Sequence, residues 1–131
     1  MPKEKIFFIP SKPVPQARAR VMKGGWTFDP NKDKKNWFRL QVRERISSPF
    51  KGAVRIDLEF FMPIPRSTPK KRLESLKTSP HIKKPDLDNL VKFSMDGMSE
   101  IAFVDDRQVC EIHATKKYGE NPGTLISVKE L

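Results

Sequence analysis

The sequence predicts an α+β domain with helices packed on one face of a mixed β-sheet. Two patterns and their order along the chain carry that expectation. Ala53–Met62, AVRIDLEFFM, puts Val54, Ile56, Leu58, Phe60 and Met62 on one side of an extended chain and Arg55, Asp57 and Glu59 on the other. That is the period of two of a half-buried strand. Leu87, Leu90, Val91, Met95 and Met98 recur at three- and four-residue intervals, the single apolar stripe of an amphipathic helix. In order, the chain reads as strands, a helix, a strand, a loop, a helix and more strands, and helices gathered on one face of the sheet bury both kinds of apolar surface.

From the N-terminus, Ile6–Ile9 is a short apolar strand, closed by the loop that Pro10, Pro13 and Pro15 impose. RARVM and WTFD, joined by Lys23-Gly24-Gly25, read as two further short strands, with Phe28 expected in the core and Trp26 open to either reading. A helix follows from about Lys32 to Ile46, with Phe38, Val42 and Ile46 four apart and Asp29 or Asn31 placed to cap it. Past the strand in Ala53–Met62, Pro63, Pro65 and Pro69 mark a loop, and a short helix fits Lys70–Leu76. The central helix starts near Asp86 and ends near Gly97. Gln108–Tyr118 alternates Cys110, Ile112 and Ala114 with Glu111, His113 and Thr115, so His113 is expected to point outward with no catalytic role. GTLISVKE is the last strand, and the break YGENPG before it predicts that these two strands form a hairpin-like antiparallel pair.

At 131 residues the chain is expected to form one domain, 1–131, with a sizeable core. A net charge of +10 and a pI near 9.9 create a positive field suited to a polyanion, most simply nucleic acid. An anionic membrane surface is disfavoured, because no apolar run has transmembrane length and no helix sets lysines against bulky apolar groups. The apolar stretch Ile6–Ile9 is too short for a secretory signal, so a cytoplasmic protein is expected. Cys110 alone cannot form an internal disulfide or a Cys-rich zinc site, and His81 and His113 add too little for a soft-ligand centre.

Against this basic background, Asp86, Asp88, Asp96, Glu100, Asp105 and Asp106 crowd into Lys83–Asp106, six of the chain's sixteen acids. One reading is structural: acids near a helix N-terminus satisfy free N–H groups and the macrodipole, Asp88 pairs with Lys92, and Asp105-Asp106 is a polar turn. The other is chemical. If Asp86 is extended rather than helical, its carboxylate and that of Asp88 can turn to one point. An extended return from Gly97 to Asp105 is long enough to bring the second pair back along the helix. Three carboxylates from two segments suit magnesium, with manganese as the alternative, and such a metal serves phosphodiester hydrolysis.

The segment KPDLDNLVKFSMDGM followed by IAFVDDRQV resembles the RusA family of Holliday-junction resolvases, most strongly over Lys83–Tyr118. The family pattern is a basic or proline residue, Asp-x-Asp-Asn-Leu-x-Lys, a helix, and Asp-Asp before a strand. The resemblance implies a magnesium-dependent, homodimeric endonuclease that nicks four-way DNA symmetrically in recombination and repair. Asp86, Asp88 and Asp106 are the implied metal ligands, with Asp105 as a further candidate, and Lys92 is the implied contact to the scissile phosphate. Asp96 and Glu100 match no ligand.

Arg66, Lys70, Lys71, Arg72, Lys77, Lys83 and Lys84 crowd the loop into this motif, interrupted by one acid, Glu74. Such a run is often only a solvated segment, but beside a phosphate-cutting site it would hold the DNA backbone without reading bases. Lys70, Lys71, Lys83 and Lys84, with Arg18 and Arg20 near Trp26, are the expected DNA contacts. The competing expectation is a non-catalytic basic nucleic-acid-binding module whose acids only cap a helix; a metal nuclease acting on RNA is a third.

Overall fold

The computed structural model describes residues 3–131. Its elements are β1 (Glu4–Ile9), β2 (Arg20–Val21), β3 (Thr27–Phe28), α1 (Lys32–Arg45), β4 (Val54–Pro63), α2 (Lys70–Leu76), α3 (Leu87–Met98), β5 (Val109–Gly119) and β6 (Gly123–Glu130), with a 3-10 turn at Asp106–Gln108. The strands of the main sheet run β1-β6-β4-β5, and β2 and β3 form a separate two-stranded ribbon. β4 pairs in parallel with β5, while β6 is antiparallel to both β4 and β1, so the sheet is mixed as predicted.

Period-two patterning places the core. Val54, Ile56, Leu58, Phe60 and Met62 of β4 and Ile126 and Val128 of β6 are all buried on one sheet face. Phe38, Val42 and Ile46 from the first helical segment and Leu90, Phe93 and Met98 from α3 close over it. The helical stripe holds at Leu90 and Met98, while Leu87, Val91 and Met95 are only half-buried. α1 and α3 pack closely, with the Phe38 and Phe93 rings edge-to-face at 5.5 Å. Gly97 makes this approach possible: a Cβ there would lie 2.2 Å from Phe38 Cδ1.

Three expectations are corrected. β5 and β6 do not pair with each other: the chain crosses the end of β4 through Glu120–Pro122, and β6 inserts between β4 and β1. Burial explains the choice, since β6 buries Thr124, Ile126 and Val128, whereas Glu111, Ile112 and His113 of β5 are exposed and suit an edge. Phe28 is exposed rather than core, because the β2–β3 ribbon stands off the main sheet. Trp26 beside it is exposed too, and Gly24 and Gly25 supply the positive φ of the ribbon's turn. Third, the chain does not run back along α3 in extended form. The Ile101 and Ala102 N–H groups both donate to Met98 O, and Phe103 bridges to Ser99 and Phe50, so the chain stays at the C-terminal end of the helix. The return is made by β5 instead.

Candidate active site

The first acidic pair sits where the loop from α2 becomes α3. Asp86 is the residue before the first helical turn, with extended backbone (φ −70°, ψ 144°), and its side chain makes no capping hydrogen bond. Asp88 lies in the first turn, and both residues are exposed. The Asp88 carboxylate is 4.0 Å from Lys92 Nζ, with both side chains well over half exposed. A contact that long and wet contributes little, so neither acid is committed to holding the helix.

What fixes this loop is a lysine. Lys116 Nζ of β5 donates to the carbonyl oxygens of Lys83 (2.7 Å) and Pro85 (2.6 Å), so the start of α3 is tied to the sheet independently of its acids. His81, just upstream, stacks obliquely on Tyr118 with ring centroids 4.8 Å apart. Burial first, and then the nearby charge of Lys116, lowers the His81 pKa. On the other side, the Gln16 N–H donates to Asn89 O at 2.9 Å and brings the N-terminal proline loop against the first turn of α3. Lys12, Gln16, Lys84, Asp86 and Asn89 thereby line one open cleft. Lys12 also borders a second cleft, of about 380 Å³, walled by Trp37, Phe38, Phe93 and Lys34. Lys12, Gln16 and Lys116 escaped sequence reading, because their roles depend on contacts across many residues of chain that no local pattern announces.

The second acidic pair is built differently. Asp105 Oδ1 accepts from the Arg107 N–H at 3.0 Å, and Gln108 Oε1 accepts from the Asp105 N–H at 2.9 Å, a reciprocal cap on the 3-10 turn. Gln108 Nε2 then donates to Phe50 O and Gly52 O, both at 2.9 Å, and ties the turn to the entry of β4. The Arg107 N–H, followed by Asp106 and the Arg107 guanidinium, holds the Asp105 carboxyl below its ordinary range against the opposing effect of burial. Asp105 is therefore engaged in the turn, while Asp106 is exposed.

Within one chain the two pairs stay apart. Asp86 precedes α3 and Asp106 follows it, with twelve helical residues between, about 18 Å of axis. Among the described residues, no three Asp, Glu, His or Cys side chains gather closely enough to hold a metal ion. Of the expected DNA contacts, Arg18, Arg20, Lys70, Lys71, Lys83 and Lys84 are all exposed, and Lys84 borders the cleft beside Asp86. Among the described residues no helix is long and apolar enough to cross a membrane.

Fold and surface together define a basic α+β protein that presents one uncommitted carboxylate, Asp86, at the rim of a lysine-bearing cleft, with Asp88 exposed in the next turn of chain. The sequence matches the family model for endodeoxyribonuclease RusA over residues 10–129, nearly the whole chain, and the protein belongs to that family. It is also similar to a protein of Bacillus subtilis (strain 168) called uncharacterized protein YqaN, with 26% identity over 135 residues that cover 95% of each chain.

Proposed function

We propose that this protein is a magnesium-dependent Holliday-junction resolvase that acts as a homodimer and nicks two strands of a four-way DNA junction symmetrically. The observation that carries this reading, beyond family membership, is the state of Asp86 and Asp88. They stand at a helix start that Lys116 already secures, and neither carboxylate caps that helix. Hard oxygen donors beside lysines are the chemistry magnesium uses, since it is commonly held by one or two carboxylates together with substrate phosphate and water. Manganese suits the same donors.

In this reading Asp86 and Asp88 of one protomer and Asp106 of the other protomer of the homodimer are the ligands, since one chain keeps them apart, and Asp105 orients Asp106 by capping its turn. When bound, the metal neutralises phosphate charge and makes water a better nucleophile. Lys92, four residues beyond Asp88 on the exposed face of α3, extends toward the scissile phosphate and offsets charge that develops there. Lys83, Lys84, Lys70, Lys71, Arg18 and Arg20 hold the sugar–phosphate backbone without reading sequence. Two equivalent nicks call for two sites related by a two-fold axis, hence the homodimer.

The test is incubation of the protein with a labelled four-way junction and a matched linear duplex, in magnesium or in chelator. Paired nicks confined to the junction and abolished by chelation support the proposal. Binding without cleavage in magnesium would leave a non-catalytic basic module.

A further inference from the structure

Resting on the resolvase reading above, we propose that the β2–β3 ribbon reads the branch point: Trp26 and the side chains on its face stack on base faces that a four-way DNA junction exposes and a continuous duplex does not.

The ribbon leaves one apolar face open. Its register pairs Arg20 with Phe28 and Val21 with Thr27, and the Met22 N–H donates to Trp26 O at 2.7 Å, so the same ladder continues to Met22 and Trp26. By the alternation of paired strands, Arg20, Met22, Trp26 and Phe28 fall on one side and Val21 and Thr27 on the other. Every residue from Arg18 to Phe28 is exposed, Trp26 by 57% and Phe28 by 47%, and among the described residues no third strand joins the ribbon. The tip is an ordered hairpin turn, since the Gly25 N–H donates to Met22 O at 3.0 Å and Gly24 and Gly25 take positive φ.

Charge selects what covers that face. Between Glu4 and Asp29 the chain has no acid, while Lys5, Lys12, Arg18, Arg20 and Lys23 give this segment five cations. Two copies of the ribbon laid face to face would set like charges together, whereas a nucleic acid brings phosphates for the cations and π-faces for the rings.

Both feet of the ribbon are clamped beside the first acidic pair. On the way in, the Gln16 N–H donates to Asn89 O in the first turn of α3, Lys35 Nζ donates to Gln16 Oε1 at 3.0 Å, and the Ala17 N–H donates to Asn31 Oδ1 at 2.7 Å. On the way out, the N–H of the same Asn31 donates to Asp29 Oδ1 at 2.8 Å. Asn31 is buried, so it holds both strands where they leave the body of the domain. Met22, opposite Trp26, is five residues past Ala17, at most about 17 Å of extended chain. Trp26 therefore acts within about five base-pair steps of a tether fixed to the start of α3.

A continuous duplex keeps its bases stacked on one another and offers only phosphates and groove edges. Where four arms exchange strands, that stacking is interrupted. An aromatic ring then gains a base face to cover, with little regard to sequence, because every base has one. Arg20 and Lys23 hold the phosphates alongside.

The chain has two tryptophans, Trp26 and Trp37, so Trp37→Phe leaves Trp26 as the sole indole reporter. That chain is titrated, in chelator so that nothing is cut, with a four-way junction and with a linear duplex of the same sequence. The expected result is Trp26 emission quenched by the junction and unchanged by the duplex. In a second arm, Trp26→Ala lowers junction affinity about tenfold or more and leaves duplex affinity as it was, and Trp26→Phe restores most of the loss. Arg20→Gln, by contrast, weakens both DNAs alike. Emission indifferent to the junction, or quenched equally by the duplex, overturns the branch-point role, as does a Trp26→Ala chain that loses affinity for both DNAs to the same degree. A Trp26→Ala chain of lower mass than wild type by light scattering assigns the face to a second copy and overturns it too. Wild-type protein that distinguishes the two DNAs through Trp26 but cuts neither in magnesium overturns the resolvase reading and leaves the branch-point role standing.

Discussion

Asp86 and Asp88 show how a residue's role is decided by what its neighbours already do. A carboxylate at a helix start ordinarily caps it, but here the Lys116 ammonium secures the loop and no capping bond forms from Asp86. Asp88→Asn keeps the shape and removes the charge. It is expected to lower junction cleavage by more than about 100-fold while junction binding in gel shift is retained or strengthened. Weakened binding would place Asp88 in a structural role. Asp105 behaves differently, since its carboxylate accepts from the Arg107 N–H and its pKa is lowered. Its stabilising effect is present above the ordinary carboxylate pKa and is lost as pH falls through the lower folded value, so the stability gap between wild type and Asp105→Ala should close in acid. His81 has a second sign-determined effect. Its pKa lies below the ordinary 6.5 in the folded chain, so the unfolded chain takes up the proton first and stability falls as pH drops through about 6.5. Urea denaturation of wild type and His81→Gln across pH 5 to 8 checks this; the variant should show a flatter profile. The acids proposed as ligands stood out in the sequence because their spacing matches a family pattern. Lys116 and Gln108 were not, because each acts on a partner more than thirty residues away.

At the scale of elements, periodicity located the strands and helices but not their neighbours. The alternation in Ala53–Met62 and the stripe through Leu90 and Met98 foretold β4 and α3, and the short helix at Lys70–Leu76 appears with the bounds expected. A hairpin between β5 and β6 was the natural reading of YGENPG, yet alternation along a strand says which face is buried and nothing about which strand lies beside it. The polar rim of β5 and the apolar faces of β6 decide that, through the burial each can accept. Phe28 was misread for a related reason: two residues of ribbon off the main sheet have no core to enter. Gly97 marks the tightest helix contact. Gly97→Ala forces its methyl into the Phe38 ring and is expected to destabilise the fold by about 1–3 kcal/mol, measured by chemical denaturation. An unchanged or raised stability would mean that Phe38 moves aside freely.

For the whole molecule, charge and family membership point the same way. A chain of +10 that belongs to the endodeoxyribonuclease RusA family should bind DNA through phosphates, so its junction affinity should fall log-linearly with salt. Replacing Lys83 and Lys84 together with glutamine should weaken binding alike on every sequence and reduce that salt slope by about two, as read from titrations at several salt concentrations. Sequence reading could single out the acids proposed for the site but not bring them together, because the turn at Met98–Ala102 leaves Asp106 at the far end of α3 from Asp86. Metal-dependent resolution of four-way DNA is measured directly as cleavage of a labelled four-way junction beside a linear duplex of the same sequence, with magnesium and with chelator. Paired, symmetric nicks in the junction alone, lost when magnesium is removed, are the expected outcome. Junction binding with no cleavage in magnesium, or equal cutting of the linear duplex, would contradict it.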